Sequence, residues 1–422
     1  MRVFKFGGAS VNSASAVQNM ATIVAKHKDE QLVIVVSAMG KTTNNLELLV
    51  SSKNGIASNW EEIISSVKDY HLNIVSNLFE EEKSYDVKSK IEDLFSLLEE
   101  QLKHPSFDYN FNYDQIVSFG ELISTTIISE YLNHRNINNQ WVDVRNIIKT
   151  DCTYREGKVD WELTQSCVTK ELTPIIQTHG IAITQGFIAG SSQGSTTTLG
   201  REGSDYTAAI LAYCLSATDM VIWKDVPGFL NADPKFFANT QKINTIPYSE
   251  AIELAYYGAS IIHPKTVKPL QNKEIPLHVK SFITSDSDGS VICSATHIEP
   301  ETPLYIFKNN QVLLSIQPKD FSFIAEDNLQ KIFGLFAETG VKVNMIQNSA
   351  ISFSVCIDGK DIVFDKLIPV LQKDFHVRYN SNLQLITIRY YTQDIVNSIV
   401  ANREIFLEQH SRLTAQVLVS ME

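Results

Sequence analysis

The sequence predicts an α/β protein with a mainly parallel central sheet, followed by smaller α+β modules at its C-terminal end. Three observations lead there. The chain opens strand–helix–strand: Val3 to Phe6 and Gln31 to Val36 are short β-branched runs, and Ala14 to His27 between them has helical spacing. Strand and helix signals keep alternating to about residue 285, as a parallel sheet requires. The composition then changes at Thr284 to Pro303, which is rich in Ser, Asp, Thr and Pro and reads as a linker.

The elements follow in order. Leu46 to Lys103 is mostly helical in pattern; Leu94, Leu97, Leu98 and Leu102 make one apolar face against a charged back. Gln140 to Val144, Ile181 to Thr184, Asp219 to Trp223 and Pro276 to Phe282 read as strands. Gly190 to Gly194 reads as a hairpin tip between Gly186-Phe187-Ile188 and Thr196-Thr197-Thr198. Beyond the linker come strand Gln311 to Ile316, helix Asp327 to Thr339, strands Val341 to Ile346 and Ile351 to Ile357, and helix Lys360 to Lys373. A second cycle follows, with strand Leu383 to Arg389, helix Gln393 to Arg403 and strand Thr414 to Val419. Two cycles of similar order predict duplicated ferredoxin-like modules. The expected divisions are an α/β domain over 1–285, a linker over 286–303 and a tandem-module region over 304–422.

Bulk properties bound the function. With 422 residues, two or three domains are expected. The chain is 44% apolar and 20% charged, an ordinary globular composition, and its net charge of −12 argues against nucleic acid or an anionic membrane as main partner. Five cysteines with no C-x-x-C spacing point to reduced thiols rather than a disulfide framework or a zinc site. Met1 runs directly into a structural motif without a signal peptide, and the run Leu32 to Val36 is too short to span a bilayer. The cytoplasm is the expected location.

Two glycine turns carry the chemistry. Lys5-Phe6-Gly7-Gly8 closes the first strand, and Leu199-Gly200-Arg201-Glu202-Gly203-Ser204-Asp205 opens a helix. Such turns aim free backbone N–H groups at an anion, most often phosphate. Lys5 and Asp205 between them suggest phosphoryl transfer. Lys5 alone would pass for a solvated strand end, and the adjoining double glycine argues otherwise. The P-loop pattern is absent. Ser37, Lys41, Thr42, Thr43 and Asn44 follow the second strand, where an α/β sheet opens to ligands; capping explains one hydroxyl but not the group. Glu121, at a helix start, fits equally a helix-dipole partner and a contact to a substrate amine. Arg201 offers a bidentate clamp for a carboxylate. Lys224-Asp225-Val226-Pro227-Gly228 is a turn after a strand, and Lys235 lies within reach of a phosphate. His263 before Pro264 reads as structural.

These residues, in this order, resemble the aspartate kinases, members of the amino-acid kinase fold that end in a pair of regulatory ACT modules. The resemblance rests on Lys5-Phe6-Gly7-Gly8, Val36-Ser37-Ala38 with Thr43-Asn44, Gly120-Glu121, Leu199-Gly200-Arg201, Gly203 to Ala208, Asp225 to Gly228 and Ala232 to Lys235, with Tyr257-Gly258-Ala259 and His263-Pro264. It covers essentially the whole chain, and the form it resembles is the monofunctional one.

The resemblance implies a three-layer α/β catalytic domain that moves the ATP γ-phosphate to the side-chain carboxylate of L-aspartate, the first step toward lysine, threonine and methionine. Lys5 would neutralise the transferring phosphoryl group, with Asp205 holding Lys5 and the substrate amine in register. Ser37, Thr43, Glu121, Arg201 and Ser204 would bind aspartate. Lys5, Gly7, Gly8, Lys224, Asp225, Leu230 and Lys235 would contact ATP. Mg²⁺ would ride on the phosphates without a protein cage. An amino-acid effector would bind near Asn344, Met345 and Ser349, and the chain would form a homodimer or higher homo-oligomer through the ACT region.

Four positions depart from the family pattern: Ala9 for threonine, Glu202 for glycine, Leu230 for tyrosine and Ser260 for lysine. Glu202 is expected to point outward or pair with a lysine. Asn344 and Ala350 stand where relatives carry acids, so feedback by lysine is expected to be weak. Two rival readings remain at this level: a kinase for another acidic substrate, such as acetylglutamate, and a non-catalytic amino-acid sensor. Glu121 speaks against the first, and Lys5 with Asp205 against the second.

Overall fold

Every residue of Leu32–Val36 and of Ile181–Gln185 is buried, which places both strands at the centre of a sheet covered on its two faces. In the computed structural model, which describes residues 1–51, 55–237, 239–259, 262–320 and 322–421, the chain divides into two compact units. The first comprises Met1–Phe229, Lys242–Ile252 and Ile261–Pro300; the second comprises Leu230–Gln241, Glu253–Ser260 and Glu301–Glu422.

The main sheet of the first unit has eight strands: β1 (Arg2–Phe6), β2 (Leu32–Val36), β3 (Gln140–Val142), β4 (Ile181–Gln185), β5 (Asp219–Lys224), β6 (Thr245–Pro247), β7 (Leu277–Ser281) and β8 (Ser290–Cys293), in the order β6-β8-β7-β5-β1-β2-β4-β3. All pairs are parallel except β7 with β8. In register, Phe6 lies beside Val36 and Trp223, and Val36 beside Gln185. The carboxyl ends of four strands therefore finish together, and the residues that follow each of them emerge along one edge. That edge of a parallel sheet is where ligands bind.

The stretch 286–303, expected to be a linker, behaves differently. Ser290–Cys293 is β8 of the main sheet, with Ser290 buried and its Oγ accepting from Phe229 N at 2.8 Å. A buried serine that satisfies loop backbone groups gives the low-hydropathy signature of a linker while sitting in a strand paired on both sides. The long helical region resolves into Trp60–Leu78 and Glu81–Lys103.

The second unit holds one six-stranded antiparallel sheet built from β9 (Leu304–Pro318), β10 (Val343–Asn348), β11 (Phe353–Asp358), β12 (Phe375–Arg389), β13 (Ile405–His410) and β14 (Thr414–Ser420), in the order β10-β11-β9-β12-β14-β13. The long strands β9 and β12 serve both modules. Leu313 to Pro318 pairs with Phe375 to Asn380, Leu304 to Lys308 pairs with Leu385 to Arg389, and register shifts separate the two stretches. Each module packs its own helix against its part of the sheet. Val312, Leu314 and Ile316 pack with Ile332 and Phe336 of helix Glu326–Thr339. Ile386, Ile388, Val417 and Val419 pack with Val396 of helix Gln393–Ile399. Sequence reading finds only half of β9 and of β12 and misses β13, because exposed polar residues such as His376, Arg378 and Asn380 mask the alternation. No helix among the described residues is long and apolar enough to cross a membrane.

Candidate active site

The loops leaving β1 and β2 lock together. Gly40 N donates to Gly8 O at 3.0 Å, and a Cβ on Gly8 would stand 2.7 Å from Ala38 O, so only glycine permits the approach. Helix Phe119–His134 presses on the same loop, where a Cβ on Gly120 would meet the Ala38 methyl at 2.9 Å. That closeness lets Glu121 Oε1 accept from Ala38 N at 3.2 Å. Ser124 Oγ donates to Ser37 O at 2.8 Å and fixes the turn that presents the Ser37 side chain.

Helix Gly203–Leu215 closes the site from the other side and packs on β1, β2 and β5. Its N-cap, Glu202, is left-handed at φ 56° and makes no side-chain cap. The first-turn N–H groups and the positive end of the helix therefore remain for an anion. Asp205 in that first turn is wholly buried. Its Oδ1 lies 2.6 Å from Lys5 Nζ and its Oδ2 lies 3.8 Å from Lys224 Nζ. Burial alone would raise this carboxyl, but the two ammonium groups more than offset it and hold it below the usual range.

A cavity of about 640 Å³ joins these parts, lined among others by Lys5, Ser37, Thr43, Glu121, Arg201, Ser204 and Asp205. The structure thus gathers both predicted catalytic residues and all five predicted substrate residues around one space. Glu121 is its most unusual member. Burial pushes its carboxyl up to about 8, and its Oε2 has no hydrogen-bond partner among the described residues. A buried, unpartnered carboxylate oxygen facing a cavity is suited to a cationic ligand group.

Of the predicted nucleotide residues, Gly7 and Gly8 form the β1 turn, Lys224 ends β5 beside Asp205, and Asp225 is exposed after it. Leu230 and Lys235 lie in the Leu230–Gln241 segment of the second unit; there Lys235 is exposed and its N–H donates to Asp233 Oδ1 at 2.9 Å. Ala9 is exposed. Ser260 lies outside the described residues. Glu202 does not turn outward: it lines the cavity, where burial first and then the Asp205 carboxylate push its carboxyl up, against the pull of Lys224 and Lys5.

The three predicted effector residues do not converge. Asn344 Nδ2 donates to Gln311 Oε1 and Asp358 Oδ1 at 2.8 and 2.9 Å, and its Oδ1 accepts from Lys308 Nζ at 2.9 Å. Met345 is buried in a core cluster with Cys356, Leu383 and Leu385. Ser349 is five residues beyond Asn344, roughly 16 Å along extended chain, in a turn where its hydroxyl meets Ser352 Oγ at 2.7 Å.

Sequence reading passes over Glu47, Tyr113, Asp114, Arg155, Glu156 and Thr198. Glu47, Tyr113, Arg155, Glu156 and Thr198 line the cavity; Asp114, on helix Tyr109–Val117, lies behind it. None sits at a strand end of the main sheet. The one local sign is Arg155 at φ 69°, unusual for a residue with a side chain and invisible in sequence.

Residues 1–281 match the amino acid kinase family. The chain is 30% identical over 417 residues to lysine-sensitive aspartokinase 3 of Escherichia coli strain K12, covering 96% of this chain and 90% of that one. It is 33% identical over 384 residues to chloroplastic aspartokinase 1 of Arabidopsis thaliana, covering 87% of this chain and 65% of that one. Among solved structures it is similar to E. coli aspartokinase III in complex with aspartate and ADP, with a TM-score of 0.82, 27% identity and coverage of 100% of this chain and 96% of that one. The same enzyme in complex with lysine and aspartate gives a TM-score of 0.83 at the same identity and coverage.

Proposed function

The chain belongs to the amino acid kinase family and, within it, to the aspartokinases, and from that premise we infer that it transfers the ATP γ-phosphoryl group to the side-chain carboxylate of L-aspartate. The products are 4-phospho-L-aspartate and ADP. The observation that carries this reading is the buried Glu121, whose unpartnered Oε2 faces the cavity that also holds Arg201 and Lys5.

Each substrate charge has a counterpart there. Glu121 receives the α-ammonium, and Arg201, with Ser37, Thr43 and Ser204, takes the α-carboxylate. The side-chain carboxylate is then left beside Lys5. A carboxylate is already a nucleophile, so no general base is needed; orientation and charge stabilisation supply the rate. Lys5, held by Asp205, neutralises charge on the transferring group, and Lys224 and the N–H groups of the Gly7-Gly8 turn and helix Gly203–Leu215 serve the phosphates. Asp205 is engaged by two lysines, and the described residues contain no group of three or more acidic, histidine or cysteine side chains placed to hold a metal ion. Magnesium would therefore be held by ATP oxygens and water, where it supplies further charge neutralisation.

An N-acylated substrate would leave Glu121 facing an uncharged amide, which disfavours an acetylglutamate-type activity. An amino-acid effector belongs to the second unit in this reading. Homo-oligomerisation would use its sheet edges: β10 and β13 end the six-stranded sheet and expose Ile346 and Ile405. The cytoplasm is the proposed location.

The test is ATP-dependent phosphorylation of L-aspartate, trapped with hydroxylamine, for wild type and Lys5→Ala. Hydroxamate from wild type and almost none from the variant supports both reaction and site. Product only with another acidic amino acid moves the substrate, and no product with any overturns the kinase reading.

A further inference from the structure

A carboxylate outside the substrate contacts organises one wall of the cavity. Asp114 is wholly buried on helix Tyr109–Val117 and accepts three hydrogen bonds. Its Oδ2 takes Arg155 N at 2.8 Å and Thr198 N at 2.9 Å, and its Oδ1 takes Thr198 Oγ1 at 2.8 Å. The donors come from two separate segments. Thr198 leads directly into Leu199-Gly200-Arg201. Arg155 begins a turn that closes back on Thr198, where Gly157 N donates to Thr198 O at 2.8 Å. The turn also packs under the arginine loop: a Cβ on Gly200 would lie 3.3 Å from Arg155 O.

The neighbouring side chain reinforces the grip. Gln115 Nε2 donates to Thr196 O at 2.8 Å, and Gln115 Oε1 accepts from Thr196 N at 3.1 Å. One helix thus holds the whole strand before Arg201 through two adjacent side chains. The Arg155 guanidinium lies 4.2 Å over the Tyr113 ring and 3.8 Å from Glu47, on the helix that carries Thr43. Burying a carboxylate is unfavourable, and here burial pushes the carboxyl up to about 6 against the three hydrogen bonds and the charge of Arg155. The backbone geometry that it fixes is what this cost sustains.

We propose that Asp114 is a positioning residue for the amino-acid substrate: by holding Thr198 and Arg155 it sets the place of the Arg201 guanidinium in the cavity. The proposal deepens the kinase reading and rests on it. Loss of the clamp weakens capture of the α-carboxylate and leaves the nucleotide side, on β1 and β5, in place.

The experiment is steady-state kinetics of Asp114→Ala, Asp114→Asn and Thr198→Val. Asp114→Ala is expected to raise the aspartate KM at least ~10-fold while the ATP KM stays within about twofold. Asp114→Asn keeps an oxygen for the two N–H groups, and the Thr198 hydroxyl can turn to accept from its amide, so KM returns to within about threefold of wild type. Thr198→Val removes one donor and raises the aspartate KM about threefold. An unchanged aspartate KM in Asp114→Ala, both KM values rising together, or an Asn variant no better than Ala overturns the proposal. If Asp114→Ala does not fold by circular dichroism, Thr198→Val decides: a raised aspartate KM supports the clamp and an unchanged one overturns it. Calorimetric titration of the same proteins with L-aspartate reads Kd without turnover. A wild type that binds aspartate but does not phosphorylate it sinks the kinase reading, while the variants' Kd values still judge the clamp.

Discussion

Lys5 Nζ and Asp205 Oδ1 stand 2.6 Å apart although they belong to opposite ends of the catalytic sequence. The pair joins the carboxyl end of β1 to the first turn of helix Gly203–Leu215, and Asp205 is fully buried. Removing one partner leaves the other charge in a poorly hydrated place. Asp205→Ala should therefore lower stability by roughly 3–5 kcal/mol and also abolish activity. Lys5→Met, whose lost charge leaves Asp205 the Lys224 ammonium, should unfold closer to wild type while turnover falls about 10²–10³-fold. Chemical denaturation and the hydroxamate assay separate the two effects. A Lys5→Met enzyme with more than a tenth of wild-type turnover would remove Lys5 from the chemistry.

Glu121 predicts a proton linkage. Its carboxyl, pushed up to about 8 by burial, is mostly protonated at pH 7 in the free enzyme. An ammonium beside it favours the carboxylate, so binding aspartate should release close to one proton at pH 7. The aspartate KM should fall as pH rises from 6 toward 8. Calorimetry in two buffers of different ionisation enthalpy measures the proton directly, and Glu121→Gln should show none. Buffer-independent enthalpies in wild type would refute the linkage.

The same shift has a stability consequence of fixed sign. The folded value is raised above the ordinary 4.5, so Glu121's contribution to stability is fully present below about 4.5 and is lost as pH rises through about 8. Glu121→Gln should thus gain on wild type as pH rises, by at most roughly 5 kcal/mol above pH 8. Urea unfolding at pH 5 and pH 9 checks it, and equal midpoint differences at both would rule it out.

Much of this site is legible in the sequence because its parts lie at strand ends and glycine turns, where local pattern and chemistry coincide. Lys5, Gly8 and Asp205 belong to such places, and Glu121 to a helix start. The Asp114 clamp does not. It joins residue 114 to 155 and 198, a relation that only the fold creates, and Arg155 sits at a positive φ that sequence does not announce. In the second unit the alternation survives where one face is buried, as in Phe353–Asp358, and fades where Phe375–Asn380 exposes polar residues.

Glu202 puts a carboxylate at φ 56° in the cavity, at the N-terminus of helix Gly203–Leu215, whose free N–H groups favour an anion. Glycine at this position relieves the left-handed strain and removes the negative charge beside Asp205. Glu202→Gly should stabilise the protein by about 0.5–1 kcal/mol and lower the ATP KM severalfold, with kcat little changed. An ATP KM that rises instead would mean that Glu202 contributes to binding the nucleotide.

Asn344 bears on feedback. Its carboxamide is already engaged by Lys308, Gln311 and Asp358. The Lys308 ammonium and the Asp358 carboxylate offset one another, so a lysine side chain arriving here finds no net negative charge and meets a like charge. Inhibition by L-lysine should therefore be weak, with half-effect on the order of millimolar or above. Asn344→Asp adds a carboxylate where Lys308 already donates; the first call on it is that ammonium, and the remainder falls to the ligand. The variant should accordingly tighten lysine inhibition by about 3–10-fold, less than a free carboxylate would give. Lysine titrations of both enzymes at fixed aspartate measure this. Strong inhibition of wild type below about 0.1 mM would show that the ammonium is recognised elsewhere, since neither member of this neutral pair could supply the roughly 5.5 kcal/mol of binding without displacing the other.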